Sequence, residues 1–181
     1  FEVIEDVKNQ RSEIGVLYLN DYNKTILTKV LGENSLEFTP LFDCSIYAYM
    51  SRNNPLAIEK LKTGESIRIE ELDEYPCLAF DQGDHNSAYF AEEMLSTYQY
   101  KRLIRVNDRA TILNLMIGIN GYTLCSGIIC EDLNGSDYCA IKVDTNEKMT
   151  IGYISRKKSV MSKIATKYIE ELSSYKDKLL K

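Results

Sequence analysis

A short polar loop, residues 81–86, carries side chains suited to holding a small molecule. It follows an apolar segment ending at Phe80 and precedes a segment with helical apolar spacing. The free amide groups and the dipole at a helix N-terminus favour a carboxylate, a phosphate or a carbonyl oxygen. Gln82, Asn86 and Ser87 supply neutral hydrogen-bond donors, and Gly83 allows the backbone to approach a ligand closely. Together with Phe80 they form the first candidate site.

The same loop also has a purely structural interpretation. Asn86 or Ser87 would cap the predicted helix, and Asp84 would compensate the charge of its first turn. Asp81 and Asp84 disfavour a strongly anionic ligand and instead suit an amine or a hydroxyl group. Both interpretations remain open from the sequence.

Two further patches offer hydrogen-bonding groups at the ends of predicted strands. The first comprises Tyr18, Leu19 and Asn20, where the Tyr18 hydroxyl either reaches a ligand or lies on the surface. The second comprises Thr123 and Ser126, and Ser126 alternatively caps the short turn that follows it. These residues complete the predicted ligand-binding set.

Catalytic and metal chemistry find little support in the residue types. His85 is the only histidine, no Gly-x-Ser-x-Gly motif is present, and Glu92 with Glu93 is interpreted as a pair of surface carboxylates. The five cysteines lack metal-ligand spacing, so buried reduced thiols in the cytoplasm are expected. We therefore predict no enzyme activity, no catalytic residue, no cofactor and no metal site.

Composition limits the partners of the chain. The 181 residues are 44% hydrophobic and carry a formal net charge of -5 without a long Lys/Arg run, which disfavours direct binding of nucleic acid. No apolar stretch approaches the length of a membrane span, so no membrane contact is predicted. No signal peptide is visible, but the chain opens within ongoing structure and is expected to be an excised piece.

The elements that must position these groups alternate between strand and helix. Residues 103–106 form an apolar run, and Asn107-Asp108 can cap a helix whose face is Ile112, Leu115, Met116 and Ile119. Asn120-Gly121 then supplies a left-handed stop before a second apolar run, 122–125. Strand, helix, stop and strand make a βαβ unit, which requires a crossover and favours a parallel sheet with ligands at strand carboxyl ends.

The remaining pattern predicts an α/β fold. Strands are expected at 13–19, 76–80, 138–143 and 149–155, with one long extended segment at 36–50. Helices are expected at 22–31 with a stop at Gly32, after Asn54-Pro55, at 87–98, and at 160–179 with Ser159 as cap. Single helical turns are expected near 69–72 and within 126–133.

The order of four segments resembles the effector-sensing region of LysR-type transcription regulators. They are EIGVLYL from Glu13, LEFTPLFDCSIYAYMSRNNPLA from Leu36, IRIEELDEYPCLAF from Ile67 and NDRATILNLMIGINGYTLCSGII from Asn107. The second resembles the family's crossover strand and His-Pro-Leu-Ala signature, with Asn54 in place of His. In the fourth, Cys125-Ser126 stands where many members have proline.

The resemblance implies a two-lobed fold like that of type 2 periplasmic binding proteins, with a small-molecule cleft between lobes. Lobe one would comprise 1–47 with 140–181 and would lack its first strands, and lobe two would comprise 48–139. The resemblance implies a metabolite effector, a homodimer or larger assembly, and DNA contact only through a winged helix-turn-helix absent from this chain. A free-standing solute-binding protein of a transporter is the alternative, and a small α/β enzyme is a third class.

Overall fold

The computed structural model describes residues 1–83, 87–91, 93–129 and 131–179, with side chains through residue 174. The chain divides into two compact units, Phe1–Cys44 with Lys148–Lys181, and Ser45–Glu147. The chain therefore leaves the first unit once and returns to it once. The sequence places these crossings at 47/48 and 139/140.

The first unit is built on a three-stranded sheet whose central strand comes from the C-terminal part of the chain. The strand order is β1-β9-β2, and β9 pairs antiparallel with both neighbours. The strands are β1 (Ile14–Leu19), β2 (Leu36–Cys44) and β9 (Met149–Arg156). The helices are α1 (Glu2–Lys8), α2 (Lys24–Glu33) and α6 (Lys163–Leu179).

The second unit contains a six-stranded mixed sheet in the order β4-β8-β3-β7-β5-β6. Its strands are β3 (Tyr47–Ser51), β4 (Ile67–Arg68), β5 (Cys77–Phe80), β6 (Leu103–Val106), β7 (Tyr122–Cys125) and β8 (Tyr138–Asp144). Its helices are α3 (Pro55–Thr63), α4 (Arg109–Gly118) and α5 (Glu131–Asn134). A 3-10 helix occupies Ile69–Glu74.

The predicted βαβ unit is confirmed as β6, α4 and β7. The two strands are not neighbours, because β5 lies between them and pairs parallel with both. Asn120 has a φ of 56°, the left-handed conformation expected at this stop. Gly121 is needed for a different reason, because a Cβ there would lie 2.7 Å from the buried Leu78 side chain.

The predicted helix after Asn54-Pro55 is confirmed as α3, and Asn54 does more than cap it. The Asn54 side chain accepts a hydrogen bond from the Leu56 amide at 2.9 Å and donates one to the Asn120 carbonyl at 3.0 Å. Asn54 is fully buried, so both bonds are shielded from water. This one side chain therefore ties the start of α3 to the left-handed stop before β7.

The prediction of a helix at 87–98 is wrong for the residues that the structure describes. A 3-10 turn at Ala88–Phe90 is followed by irregular backbone, and Leu95 has a φ of 56°. Side-chain bonds within the segment replace the helical ladder: Ser96 Oγ donates to the Ala88 carbonyl at 2.8 Å, and the Tyr100 hydroxyl donates to the Leu95 carbonyl at 3.0 Å. The apolar spacing of this segment reflects packing of an irregular loop, with Met94 buried.

Other predicted boundaries need correction. The extended segment 36–50 is two strands, β2 and β3, and α2 continues through Gly32 to Glu33. The last helix begins at Lys163, where the Ser162 hydroxyl accepts from the Ala165 amide, so Ser159 is not its cap. Its buried contact is Ala165, whereas Val160 is 96% exposed and Ile164 83% exposed. Val160 precedes the helix, and Ile164 does not lie on its buried face.

A shallow groove of about 440 Å³ lies between β1 and α6 in the first unit. The Glu13 carboxylate, which lines the groove, accepts hydrogen bonds from the Ser162 hydroxyl and amide, and these bonds lower the pKa of Glu13. The groove is lined by Ser12, Glu13, Ile14, Val16, Ile164, Ala165 and Tyr168.

Within the residues searched, no helix has the length and apolarity to cross a bilayer.

Candidate ligand-binding site

Three parallel strands of the second unit, β5, β6 and β7, have their carboxyl ends on the same side of the sheet, at Phe80, Val106 and Cys125. We call this row of strand ends the edge. β5 pairs with β6 through Phe80 and Val106, and with β7 through Cys77 and Tyr122, so the last residues of all three strands lie at similar height. The Asp81 amide extends the pairing by donating to the Val106 carbonyl at 2.8 Å. In open α/β sheets such an edge is where ligands bind.

An aromatic ring and a cation meet at this edge. The Arg109 guanidinium lies over the Phe80 ring, 4.9 Å from its centroid, and Arg109 is the first residue of α4. A stacked guanidinium and ring can bind planar or aromatic molecules. The sequence did not single out Arg109, because nothing in its local pattern indicated which ring it would contact.

The N-terminus of α4 at this edge is capped by its own chain. The Asp108 carboxylate accepts bonds from the Thr111 amide at 2.8 Å and from the Thr111 hydroxyl, and these bonds lower the pKa of Asp108. The Thr111 amide at the start of α4 is therefore bonded within the chain. The anion-binding amides that the sequence predicts belong to a different segment, the one that begins at Ser87. Asp81 follows the last residue of β5 and Asp108 directly precedes Arg109 in the chain, so residues of both charges occur at these strand ends.

The loop after β5 is organised by local bonds as far as the structure describes it. The Gly83 amide donates to Asp81 Oδ1 at 3.1 Å, and Gly83 has a φ of 57°. Ser87 Oγ accepts from the Tyr89 amide at 3.4 Å, which is the capping role considered as its alternative. Gln82 is partly buried beside them. Asp84, His85, Asn86 and Glu92 lie outside the described residues.

A buried carboxylate holds the end of β5. Glu93 is only 7% exposed and accepts a hydrogen bond from the Phe80 amide at 2.9 Å. The sequence predicts a surface carboxylate at Glu93, and that prediction is wrong because the side chain is buried against the Phe80 amide. No local signal could have paired Glu93 with a backbone amide 13 residues away.

The end of β7 contributes short polar side chains. Thr123 is partly buried and lies opposite Tyr49 of β3, while Ser126 Oγ accepts from the Ile128 amide at 3.3 Å. The register therefore brings Phe80 and Ser126 to the same edge, with Thr123 one layer deeper. Their participation in ligand binding stays a prediction.

The remaining candidate residues belong to the first unit. Tyr18 and Leu19 end β1, where Leu19 is buried in the core and Tyr18 is half-buried. Asn20 and Asn23 each accept the other's backbone amide at 2.8 Å, which fixes the loop before α2. The structure thus groups Tyr18, Leu19 and Asn20 at one strand end.

The described residues contain no group of three or more His, Cys, Asp or Glu side chains placed to hold a metal ion. Cys44, Cys77, Cys125 and Cys139 are free thiols, and Cys130 lies outside the described residues. Burial raises the pKa of Cys77 to about 12, so this thiol stays protonated near neutral pH. Buried thiols of this kind are inert packing groups.

Comparison with known proteins agrees with this architecture. The family model described as the LysR substrate binding domain matches residues 2–176, nearly the whole chain. The chain belongs to the LysR substrate-binding domain family. No curated protein matches the chain significantly.

Solved structures of LysR regulators share the fold of this family member. The effector-binding domain of QuiR in complex with shikimate matches with TM-score 0.59 and 17% identity, over 95% of this chain and 75% of that one. The BenM effector-binding domain with its effector benzoate matches with TM-score 0.59 and 14% identity, over 96% and 74%. Full-length CbnR complexed with its target DNA matches with TM-score 0.56 and 18% identity, over 94% and 55%.

The chain thus spans about three quarters of the isolated effector-binding domains and about half of the full-length regulators. The expected α/β class and the expected kinship with LysR regulators are both confirmed. The family consists of substrate-binding domains of regulators, so a free-standing solute-binding protein of a transporter is not supported.

Proposed function

We propose that this LysR-family domain senses a small-molecule effector and passes the signal to the DNA-binding part of a transcription regulator. The family match over residues 2–176 is the observation that carries this proposal. The edge formed by β5, β6 and β7 supports it, because this edge offers a ring, a guanidinium and short polar side chains for a small organic ligand. QuiR and BenM bind shikimate and benzoate, which makes small carboxylic acids sensible first compounds to test.

The proposed mechanism is a shift in conformational population. An effector that binds one conformation of the regulator more tightly than another changes how its subunits pair, and that change alters DNA binding. The coupling free energy in such systems is about 1–3 kcal/mol. DNA would be contacted by a winged helix-turn-helix outside this chain, and the intact regulator would be a cytoplasmic homodimer or larger assembly.

Thermal unfolding in the presence of a metabolite library tests the sensing function. We expect at least one compound to raise the melting temperature in a saturable way, since a ligand that binds only the folded state stabilises it by mass action. The library should contain shikimate, benzoate, other carboxylic acids, amines, sugars and sugar phosphates. A library in which no compound shifts the transition would contradict the proposal.

The residues at the strand ends provide a second test. Arg109→Ala should lower the affinity for the compound found in the library by about tenfold, because the guanidinium would contact it. Lys142→Ala, elsewhere on the six-stranded sheet, should leave the affinity for that compound unchanged. If both variants bind the compound with the same affinity, the binding site does not lie at this edge.

A further inference from the structure

The hydroxyl of Tyr49 is a buried polar group with no hydrogen-bond partner among the described residues. Tyr49 lies in the middle of β3 and is only 8% exposed. Buried hydroxyl groups in folded proteins are almost always paired, because leaving one unpaired loses its bonds to water without replacement. An unpaired hydroxyl of this kind therefore points to a partner that the described residues do not supply.

The walls around Tyr49 are apolar. Its ring packs against Tyr138 with centroids 5.6 Å apart, and Leu78, Ile112 and Met116 complete the same buried cluster. The Tyr138 hydroxyl is already engaged as a donor to the Leu113 carbonyl at 3.3 Å. A molecule that enters this cluster would thus meet an apolar lining and one free donor.

The cluster continues directly to the candidate ligand edge. Three partly buried side chains that pack against it are Phe80, Val106 and Cys125, and each is the last residue of a parallel strand. Thr123 is the register partner of Tyr49 on β7. Tyr49 is therefore one layer beneath the edge, on the face of the sheet that α4 covers.

Burial raises the pKa of Tyr49 to about 12, and the neighbouring Tyr138 and cysteines add to this shift. The phenol therefore stays protonated across the physiological range and can act as a donor.

We propose that Tyr49 is a ligand-contacting residue, whose hydroxyl donates a hydrogen bond to a carbonyl or carboxylate oxygen of a ring-bearing organic effector. The ring of the effector would lie against Phe80 at the strand ends, with its oxygen directed inward towards Tyr49. This inference rests on the proposed effector-sensing function and adds to it a ligand class and a recognising residue.

The test compares Tyr49→Phe with Tyr138→Phe in the intact chain, using benzoate, benzamide and shikimate as probes in calorimetric titrations. We expect at least one probe to bind the wild-type chain. Tyr49→Phe should weaken benzamide about five- to tenfold, the loss typical of one neutral hydrogen bond, and should weaken a carboxylate probe by about tenfold or more. Without a probe, Tyr49→Phe should melt at the same temperature or higher, since it removes an unpaired hydroxyl. Tyr138→Phe should melt lower and keep its affinity for the probe.

Three outcomes would overturn the inference. Equal affinity of Tyr49→Phe and wild type for a bound probe would remove Tyr49 from the site while leaving the sensing function intact. A lower melting temperature of Tyr49→Phe with undiminished affinity would assign the hydroxyl to an internal water. If none of the three probes binds, the ligand class is wrong, and the metabolite library then decides separately whether the sensing function stands.

Discussion

Several buried polar side chains of the second unit bind the backbone or a charged partner where helices and strands begin and end. Lys60 is only 6% exposed, and its ammonium lies 2.9 Å from Glu71 Oε1 and 3.9 Å from carboxylate oxygens of Glu59 and Glu65. Glu71 also accepts the Arg68 amide at 2.8 Å, which closes the 3-10 helix Ile69–Glu74. Together with Asn54 and Glu93, these groups hold backbone that has no regular ladder to stabilise it.

Glu71 should make the stability of the chain depend on acid pH. The Arg68 amide, and then the Lys60 ammonium, lower the pKa of Glu71 from 4.5 to about 2. A carboxyl whose folded pKa is depressed contributes stability above its unfolded pKa, and this contribution is lost as pH falls from about 4.5 towards 2. We expect Glu71→Gln to reduce the free energy of unfolding by about 2 kcal/mol at pH 7, with the difference vanishing near pH 2.

Urea unfolding at several pH values measures this effect, and Glu65→Gln is the matched control. Glu65 lies near the same ammonium but is 69% exposed, so its removal should change the free energy of unfolding by less than about 0.5 kcal/mol. A pH-independent difference between Glu71→Gln and wild type would show that Glu71 acts through packing instead of charge.

At the scale of elements, the βαβ unit and the loop after β5 follow different rules. β6, α4 and β7 form where local pattern, capping and stop residues agree, and Asp108 caps α4 as its sequence position predicts. The segment 87–100 has helical spacing but is held as irregular backbone by side-chain bonds, two within the segment and one from Glu93 to the end of β5. The first kind of element is specified locally, and the second depends on its surroundings.

The turn between α4 and β7 offers a pair of glycine substitutions with opposite outcomes. Gly121→Ala should destabilise the chain by about 1–3 kcal/mol, because its Cβ would overlap the fully buried Leu78. Gly118→Ala should be neutral or stabilise by up to about 1 kcal/mol, because Gly118 ends a helix and a Cβ there meets nothing within 4 Å. Denaturant unfolding of both variants measures these changes, and equal effects would contradict the close-packing explanation for Gly121.

At the scale of the molecule, the order of strands ties the first unit to the far end of the chain. β9 forms the centre of the sheet and is the pairing partner of both β1 and β2. The second unit, Ser45–Glu147, contains all six strands of its own sheet. The two units therefore differ in how they depend on the C-terminal segment.

Truncation before Lys148 should separate the two units energetically. Without β9, β1 and β2 lose their backbone partners, so we expect amide protection in residues 1–44 to fall to that of an unfolded segment. The six-stranded sheet should keep its slow-exchanging amides, because all its strands are retained. Hydrogen exchange read by mass spectrometry checks both parts, and loss of protection throughout the chain would show that the second unit cannot fold without the first.

The sequence alone determined the α/β class, the LysR kinship, the βαβ unit and most strand positions. These features depend on hydrophobic periodicity, helix caps and helix stops. Such signals involve residues that are close together in the sequence, so the sequence alone reveals them. Tertiary structure alone decided the irregular course of 87–100, the buried Glu93, the stacking of Arg109 on Phe80 and the unpaired hydroxyl of Tyr49. Each of these depends on groups far apart in the chain that meet only after the strands have taken their places, and no local pattern encodes which distant partner a side chain will meet.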